Sequence, residues 1–393
     1  MDVITPSRGD PATVVVKCNR FHLTVVHSCP IWKSSSQSSC TSTGGGSVDT
    51  NTQRPARAAK RGSVTITDVA SVAGVSRATA SRALNDSPAV TAETKAKVAA
   101  AVLETGFVMN AQGRALAMGR AQSIAVLVAE PFDELFVDPT YSVLLRGISE
   151  RLSSTPVLPM LLQASTKVEH ERAIRHFQHR SVDAVIDITP YVGGVMLEAL
   201  SKQTLPVVLC GQLPGQPYEG IFSVVFADDV EGAAMAADVM LRRGRRDVIT
   251  ILGPQDNPAA TDRLEGYRRI FGEHLDDSRV EFTGWDEASG FDAARRLLKA
   301  HPTVDGLLAA SDRIAIGAMA ALAASGRSIP HDVSVIGFDD HALATRAVPP
   351  LTTIRQPLLE QGRTAAELAL GMIDGEPPRT IVLPTELVQR ESL

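Results

Sequence analysis

Cysteine is scarce in this chain of 393 residues. Three of its four cysteines, Cys18, Cys29 and Cys40, lie early in the chain, and their wide spacing lacks the close pairs of structural zinc sites. Long apolar runs are also missing, because polar and charged residues interrupt the apolar pieces at 14–16 and 23–26. This pattern excludes a signal-peptide core and a membrane span. We therefore expect a cytoplasmic protein without a membrane partner.

Motifs of common enzyme classes are absent as well. The sequence contains no GxSxG, HExxH, phosphate-binding loop or paired-cysteine motif. His170, His176 and His179 lie on an arginine-rich stretch, but without a carboxylate cluster they favour a solvated face over a metal site. We predict that the protein is not an enzyme and that it needs no cofactor or metal.

Charge is distributed unevenly along the chain. Residues 54–120 carry ten Lys and Arg against four Asp and Glu, a net charge of +6, and residues 1–53 carry +1. Since the whole chain carries −5, the remainder from residue 121 carries −12. A basic segment attracts DNA phosphates by releasing counterions, whereas an acidic body keeps the protein off non-specific DNA. Residues 1–61 are rich in serine and glycine runs without a hydrophobic period, which predicts a disordered extension.

Residues 65–85 have the pattern of two short helices joined by a tight turn. Thr67 and Ser76 stand where the helices would begin and offer side-chain oxygens as N-caps. Gly74 supplies the backbone freedom that the turn needs. The pattern predicts a helix-turn-helix, and the alternative is an alanine-rich helical hairpin with solvated charges.

A third helix follows in the sequence. Thr91 offers a cap, the apolar residues Val98, Val102 and Leu103 recur at helical spacing, and Gly106 offers a stop. On the second helix, arginines suit guanine edges while serine and threonine suit phosphates. The candidate DNA-contacting residues of this headpiece are Thr65, Ser76, Arg77, Ala78, Thr79, Ser81, Arg82, Asn85 and Thr91.

From residue 122 onward, short apolar runs alternate with amphipathic segments, as expected for buried parallel strands with helical crossovers. The predicted strands are 123–128, 182–188, 205–210, 222–226, 247–252, 305–310 and 333–337. This stretch is too long for one such sheet, so we expect two lobes. Ligands of open α/β sheets bind beyond the carboxyl ends of the strands, here in the cleft between the lobes.

Several ordered motifs show that the chain resembles the lac repressor (LacI) family of bacterial transcription regulators, from about residue 63 to its end. Besides the headpiece, the motifs occupy 180–186, 262–267, 311–318, 330–340, 349–357 and 386–392. The resemblance implies a small all-α helix-turn-helix headpiece and an α/β periplasmic-binding-protein-like core of two doubly wound parallel-sheet lobes. It divides the chain into headpiece 62–108, hinge helix 109–121 and core 122–393, with lobe one about 122–226 and 356–384 and lobe two about 227–355 and 385–393.

The resemblance also implies a function. Two protomers of a homodimer would read a near-palindromic DNA operator, and a small sugar or sugar derivative between the lobes would change the affinity for the operator. Relief of repression and co-repression both remain open. The chain ends without a heptad tail, which favours a dimer over a tetramer. A sugar-binding transport receptor is the alternative with similar lobes, but it would lack residues 65–120 and need an export signal.

Residues matching the family's effector positions lie at strand ends. The resemblance gives Arg263 the role of the effector-binding arginine, Asp339 that of a carboxylate accepting from ligand hydroxyls, and Trp285 that of a ring stacked on a sugar. Ser311 and Asp312 follow the strand 305–310, although the family often has asparagine at the first of these positions. The remaining candidates, from the loop after the first strand, are Asp138 and Tyr141.

Each of these residues also has a purely structural interpretation. Arg263 could pair with Asp262 or Glu265 on its own helix, Asp312 could cap the helix 313–323, and Trp285 could be half-buried packing. In addition, many family members carry an aspartate where this chain has Gly211, which removes one expected partner of a ligand hydroxyl. The exact sugar therefore stays open.

The hinge carries further family positions. Leu116 matches the leucine that family members wedge into the minor groove at the operator centre, and Asn110 and Arg114 match the flanking polar contacts. This chain departs from the family at Met109, where proline is usual, and at Gly113, where alanine is usual.

The second departure gives a testable prediction. Glycine costs about 0.8–1.0 kcal/mol of helix propensity relative to alanine. We expect Gly113→Ala to help the hinge fold and to tighten operator binding, measured as the Kd for an operator duplex. An unchanged Kd would contradict this inference.

Overall fold

The structure is a computed structural model that describes residues 64–108, 120–190 and 195–393. The predicted N-terminal extension with its three cysteines lies outside these described residues. So do residues 109–119, with the predicted hinge contacts Asn110, Arg114 and Leu116 and the substitution site Gly113.

Three helices form the headpiece: α1 (Ile66–Val72), α2 (Arg77–Leu84) and α3 (Ala92–Thr105). They close around a small core made of Val69, Ala70, Ala80, Val98 and Ala101. Most of these side chains are small, so the short helices pack closely. The turn between α1 and α2 passes through Gly74 at φ +66°, a conformation that strains residues with a Cβ.

At two of the three headpiece helices, the N-cap is the residue that the sequence predicts. Ser76 accepts a hydrogen bond from the backbone N–H of Thr79, and Thr91 caps α3 in the same way. The prediction that Thr67 caps α1 is wrong, because the helix begins at Ile66, which makes Thr65 the N-cap and places Thr67 inside the first turn. The Asp68 carboxylate reaches back to accept from the backbone N–H of Thr65 at 2.8 Å.

The expected core face of α3 is only partly correct. Val98 is buried and Val102 half-buried, but Leu103 is 86% exposed. Residues one position apart on a helix point about 100° apart, so Leu103 leaves the face that Val98 and Val102 share. Gly106 ends the helix in the left-handed conformation at φ +66°.

Lobe one contains a six-stranded parallel sheet. Its strands are β1 (Ser123–Val128), β2 (Leu158–Gln163), β3 (Ala184–Asp187), β4 (Val207–Cys210), β5 (Ser223–Ala227) and β11 (Thr380–Leu383), in the order β11-β5-β4-β3-β1-β2. Its helices are α4 (Phe132–Val137), α5 (Pro139–Leu152), α6 (Lys167–Gln178), α7 (Val195–Ser201) and α13 (Leu358–Ile373). Apolar side chains of α5 and α13 pack on one face, and those of α6 and α7 pack on the other.

Lobe two repeats this architecture with one antiparallel edge strand. Its strands are β6 (Val248–Leu252), β7 (Val280–Phe282), β8 (Gly306–Ala309), β9 (Ser334–Asp339), β10 (Thr352–Arg355) and β12 (Glu386–Val388), in the order β12-β10-β9-β8-β6-β7. Its helices are α8 (Asp229–Arg242), α9 (Pro258–Phe271), α10 (Glu287–Ala300), α11 (Asp312–Ala324) and α12 (Ala342–Arg346). Helices α8 and α9 cover one face, α10 and α11 cover the other, and β12 pairs antiparallel with β10.

The chain passes between the lobes three times, after β5, after β10 and after β11. Doubly wound sheets of this kind bring the carboxyl ends of their parallel strands to one edge.

Five strands of the structure are not among those predicted from the sequence. Two of them, β7 and β12, have only three residues, and β2 contains Pro159 and is exposed along most of its length. Such strands lack the continuous apolar run that marks a buried strand.

Candidate functional site

Helix α2 carries five of the predicted DNA contacts. Arg77, Ala78 and Arg82 are exposed, while Thr79 and Ser81 are half-buried. The hydroxyls of Ser76 and Thr79 lie 2.9 Å apart at the start of the helix. The helix thus carries two exposed guanidinium groups and a small exposed methyl group, side chains that are suited to direct reading of base edges.

The other predicted DNA contacts have defined local partners. Thr65 is exposed and its hydroxyl donates to Asp68 at 2.8 Å, while Thr91 is exposed at the start of α3. Asn85 ends α2, and its side-chain amide donates to the backbone oxygen of Ser81 at 2.9 Å. Asn85 therefore acts first as a helix cap.

A cavity of about 930 Å³, including its open mouth, lies where the carboxyl ends of the strands from both sheets meet. The residues that line it after the strand ends include Thr189, Gly211, Gln212, Ala227, Ser311, Asp339 and Gln356. Six of the seven predicted effector contacts line this cavity, namely Asp138, Tyr141, Arg263, Trp285, Ser311 and Asp339.

Arg263 is the central cation of the cavity. It stands in the second turn of α9, is buried, and donates from Nε to Asp229 Oδ1 at 2.8 Å. Its Nη1 donates to the backbone oxygen of Ala310 and lies 3.5 Å from Asp339 Oδ1. The sequence alternative, pairing with Asp262 or Glu265, is therefore wrong, because the guanidinium turns away from its own helix.

Two carboxylates share this guanidinium. Burial raises the pKa of Asp339 and of Asp229, and the charge of Arg263 opposes that rise. Asp339 also accepts a hydrogen bond from the amide of Gln356 at 2.6 Å. Asp339 thus has a fixed direction at the end of β9, as a group that binds ligand hydroxyls needs.

Trp285 forms an apolar wall beside these charges. It is half-buried, and the guanidinium carbon of Arg263 lies 5.7 Å from the centre of its ring. The indole lies directly against Gly253, where even a Cβ atom would collide with the ring. Because Gly253 has no side chain, the ring can lie against the backbone that follows β6. The packing alternative and the ligand-stacking role are both compatible with this placement.

Ser311 lies at the cavity as expected, whereas Asp312 lies neither at the cavity nor at the helix cap that was its alternative role. Ser311 lines the cavity and is also the N-cap of α11, accepting from the backbone N–H of Ile314. Asp312 is fully buried and does not line the cavity. Its two oxygens accept from the Thr353 hydroxyl at 2.5 Å and from the backbone N–H of His341 at 2.7 Å. Asp312 therefore joins elements inside lobe two instead of facing a ligand.

Asp138 and Tyr141 lie at the cavity wall in lobe one. Asp138 caps α5 by accepting from the backbone N–H of Thr140, and its other oxygen lies 3.4 Å from Nη1 of Arg313 in lobe two. The Thr140 hydroxyl lies 3.1 Å from His341 Nε2, which also belongs to lobe two. These two contacts connect the lobes at the edge of the cavity.

Several cavity residues were missed in the sequence. Asp229 and Gln356 each stand close to the end of a strand, at two of the three lobe crossovers, and this position alone could have identified them. Gln212 follows β4, and its amide donates to the Asp262 carboxylate across the cleft. Residues just beyond the carboxyl ends of strands are ligand-binding candidates in any doubly wound sheet.

Two other expectations can be compared with the structure. His170 and His176 on α6 are half-buried and His179 is exposed. Within 64–108, 120–190 and 195–393, none of the helices combines the length and apolar character that crossing a bilayer requires.

Comparison with known proteins identifies relatives over most of the chain. The family model of bacterial regulatory proteins, lacI family, matches residues 65–110, and the model of a periplasmic binding protein-like domain matches residues 237–393. The HTH-type transcriptional regulator CelR of Thermobifida fusca is 35% identical over 333 residues, which cover 84% of this chain and 98% of that protein.

Solved structures agree with this assignment. A complex of the transcriptional regulator CelR with cellobiose aligns with a TM-score of 0.67 at 34% identity, over 84% of this chain and 99% of that one. A lac repressor dimer bound to operator and the anti-inducer ONPF aligns with a TM-score of 0.72 over 84% and 98% of the two chains, and at 24% identity it supports the fold alone. The chain belongs to the LacI family of bacterial transcription regulators, which are DNA-binding proteins and not enzymes.

Proposed function

We propose that this regulator is a homodimeric repressor that acts in the cytoplasm. Its affinity for a near-palindromic operator changes when a small sugar binds between its lobes. Residues 62–108 act as the DNA-reading headpiece, 109–121 as the hinge and 122–393 as the sensing and dimerisation core. One observation carries the sugar assignment. Arg263, Asp339 and Trp285 line one cavity. They bring together a guanidinium with several N–H donors, a carboxylate acceptor of fixed direction and an apolar ring.

This combination suits a polyhydroxylated ring. Hydroxyl groups both donate and accept, so they can bind the carboxylate of Asp339 and the guanidinium of Arg263 at once. The C–H face of a sugar would pack on the indole of Trp285. The cellobiose complex of the similar regulator CelR supports the same ligand class.

DNA reading is assigned to the exposed face of α2. In this proposal Arg77 contacts guanine edges, with Ala78 beside it, and phosphates are held by Ser76, Thr79, Ser81 and Arg82. Two such helices are needed, because a near-palindrome presents the same half-site twice.

The dimer interface is assigned to the edge strand β2. Leu158 is 68% exposed and Leu161 42% exposed in the single chain, although both are large apolar residues. Uncovered apolar edge strands invite pairing with a second chain. A second copy would cover these side chains and bring two headpieces together.

This assignment predicts that Leu161→Lys weakens the dimer by about 2 kcal/mol or more, because a charge would replace an apolar contact. Sedimentation equilibrium measures the dimer Kd. The matched control is Val382→Lys, which places the same charge on β11 at the opposite edge of the same sheet. Equal dimer constants for both variants would contradict the β2 assignment.

The overall proposal is tested by fluorescence anisotropy on palindromic promoter duplexes, with and without a panel of sugars. We expect specific binding at physiological salt and a change in Kd with at least one sugar. The direction of that change decides between relief of repression and co-repression. A cavity ligand that leaves the operator Kd unchanged would contradict the proposal.

A further inference from the structure

The charges that line the cavity are strongly one-sided. Among the described residues of its wall, four are carboxylates, one is a guanidinium, and none is a lysine or a histidine. The carboxylates are Asp138, Asp229, Asp262 and Asp339, and the guanidinium is Arg263. Their distribution bears on which ligands the cavity can accept.

The guanidinium has little capacity left for an anion. Arg263 is buried, hydrogen-bonded to Asp229 at 2.8 Å, and 3.5 Å from Asp339. Two carboxylates therefore already share its single charge. An anionic ligand would have to compete with both of them for the same cation.

Helix N-termini would be the other attraction for an anion. Two of those at the cavity already carry a carboxylate, since Asp138 caps α5 and Asp229 is the first residue of α8. At the start of α9, Pro258 has no N–H, and the side chain of Asn257 accepts from the backbone N–H of Ala259. At the start of α11, the side chain of Ser311 accepts from the backbone N–H of Ile314.

Asp262 is the carboxylate without a compensating cation. It is half-buried on α9, it forms no salt bridge among the described residues, and its partner is the neutral amide of Gln212 from the other lobe. Burial raises the pKa of Asp262, and the nearby charges of Asp229 and Glu265 raise it further. The carboxylates of this wall already repel one another, and a ligand anion would add to that repulsion.

Building on the proposed sugar-binding function, we infer that the cavity selects uncharged sugars and rejects sugars that carry a phosphate or a carboxylate, with Asp262 as the residue that enforces the rejection. A neutral hydroxyl can donate to the Asp262 carboxylate and accept from Gln212, so it satisfies both sides of the cleft. A phosphate offers only acceptors and negative charge.

The test is calorimetric titration of the full-length protein with matched sugar pairs. The uncharged members are ribose, glucose and cellobiose, and the charged members are ribose 5-phosphate, glucose 6-phosphate, glucuronate and cellobiose 6-phosphate. For whichever uncharged sugar binds, we expect its charged counterpart to bind at least about tenfold more weakly. Asp262→Asn, which keeps the shape of the side chain and removes its charge, should lower the ratio of the Kd of the charged sugar to the Kd of its uncharged counterpart severalfold. Asp292→Asn removes an exposed aspartate from the same lobe, outside the cavity wall, and should leave the ratio unchanged.

Each outcome has a defined meaning. A charged sugar that binds the wild-type protein as tightly as its neutral counterpart, or more tightly, would overturn the inference. A ratio that Asp262→Asn leaves unchanged would overturn the role of Asp262. Failure of every sugar, charged or neutral, would instead overturn the proposed sugar-binding function on which the inference rests.

Discussion

Replacing Arg263 by alanine is expected to abolish ligand binding in the cavity and to lower the free energy of unfolding by about 3–5 kcal/mol. The guanidinium is buried between Asp229 and Asp339, and its removal leaves two buried carboxylates without their cation. It also removes a donor to the backbone oxygen of Ala310. Calorimetric titration with the sugar panel and chemical denaturation measure the two effects.

Two further variants separate charge from geometry. Arg263→Lys keeps the positive charge but loses the planar fork, so we expect it to recover part of the stability and little of the ligand affinity. The matched control is Arg269→Ala on the same helix, where the guanidinium pairs with Glu231 at the surface. Sugar affinity that survives in Arg263→Ala would remove this residue from the site.

Arg77→Ala is expected to weaken operator binding by about 2–6 kcal/mol for the dimer, because each half-site would lose about 1–3 kcal/mol of base contact. The side chain is exposed at the start of α2, so its removal should leave the headpiece folded. Anisotropy titrations against operator and against a scrambled duplex measure the specific and non-specific affinities. We expect Arg77→Ala to lower mainly the affinity for the operator, with a smaller effect on the affinity for the scrambled duplex.

Lys97→Ala provides the control for this experiment. Lys97 lies on α3, is exposed, and pairs with Glu93, so its removal takes the same charge from the same headpiece. We expect a small, salt-dependent loss that is similar on both duplexes. Equal losses on operator and scrambled DNA for Arg77→Ala would mean that Arg77 contacts phosphate and does not read a base.

Local signals in the sequence identified much of this architecture. Ser76 and Thr91 could be predicted as N-caps because a hydroxyl directly before a helix accepts a hydrogen bond from a free backbone N–H of the first turn. The buried strands of both lobes appear as apolar runs, and the carboxyl ends of those strands led to Ser311 and Asp339. The cap of α1 is the exception, because Thr67 stands closer to the apolar run but the N-cap is Thr65, whose partner Asp68 follows at the capping-box spacing.

What the sequence could not supply is contact between distant segments. Arg263 meets Asp229 and Asp339, which lie 34 and 76 positions away in the chain, whereas sequence proximity offered only Asp262 and Glu265 as alternative partners. Asp312 follows a strand as a ligand residue would, yet its carboxylate turns inward to Thr353. The direction of a side chain at a strand end depends on which neighbours the fold brings to it.

The lobes are joined at the cavity edge by side chains that a ligand between them would influence. Thr140 of lobe one meets His341 of lobe two. The Nδ1 atom of this buried histidine has no hydrogen-bond partner among the residues that the structure describes, and it lies 3.9 Å from Asp339 Oδ2. A ligand hydroxyl on Asp339 would therefore act close to a contact between the lobes. Such differential contacts are what allow a bound molecule to shift a conformational equilibrium.

The central claim is that the cavity and the operator are coupled by a single free energy. The most direct measurement is the sugar Kd of the free protein and of the operator-bound protein, set against the operator Kd with and without saturating sugar. Linkage predicts that the two ratios are equal, at a factor of about 5–150. Because any thermodynamic cycle requires equal ratios, the test lies in their size, and ratios of one, with an operator Kd that saturating sugar does not move, would contradict the account.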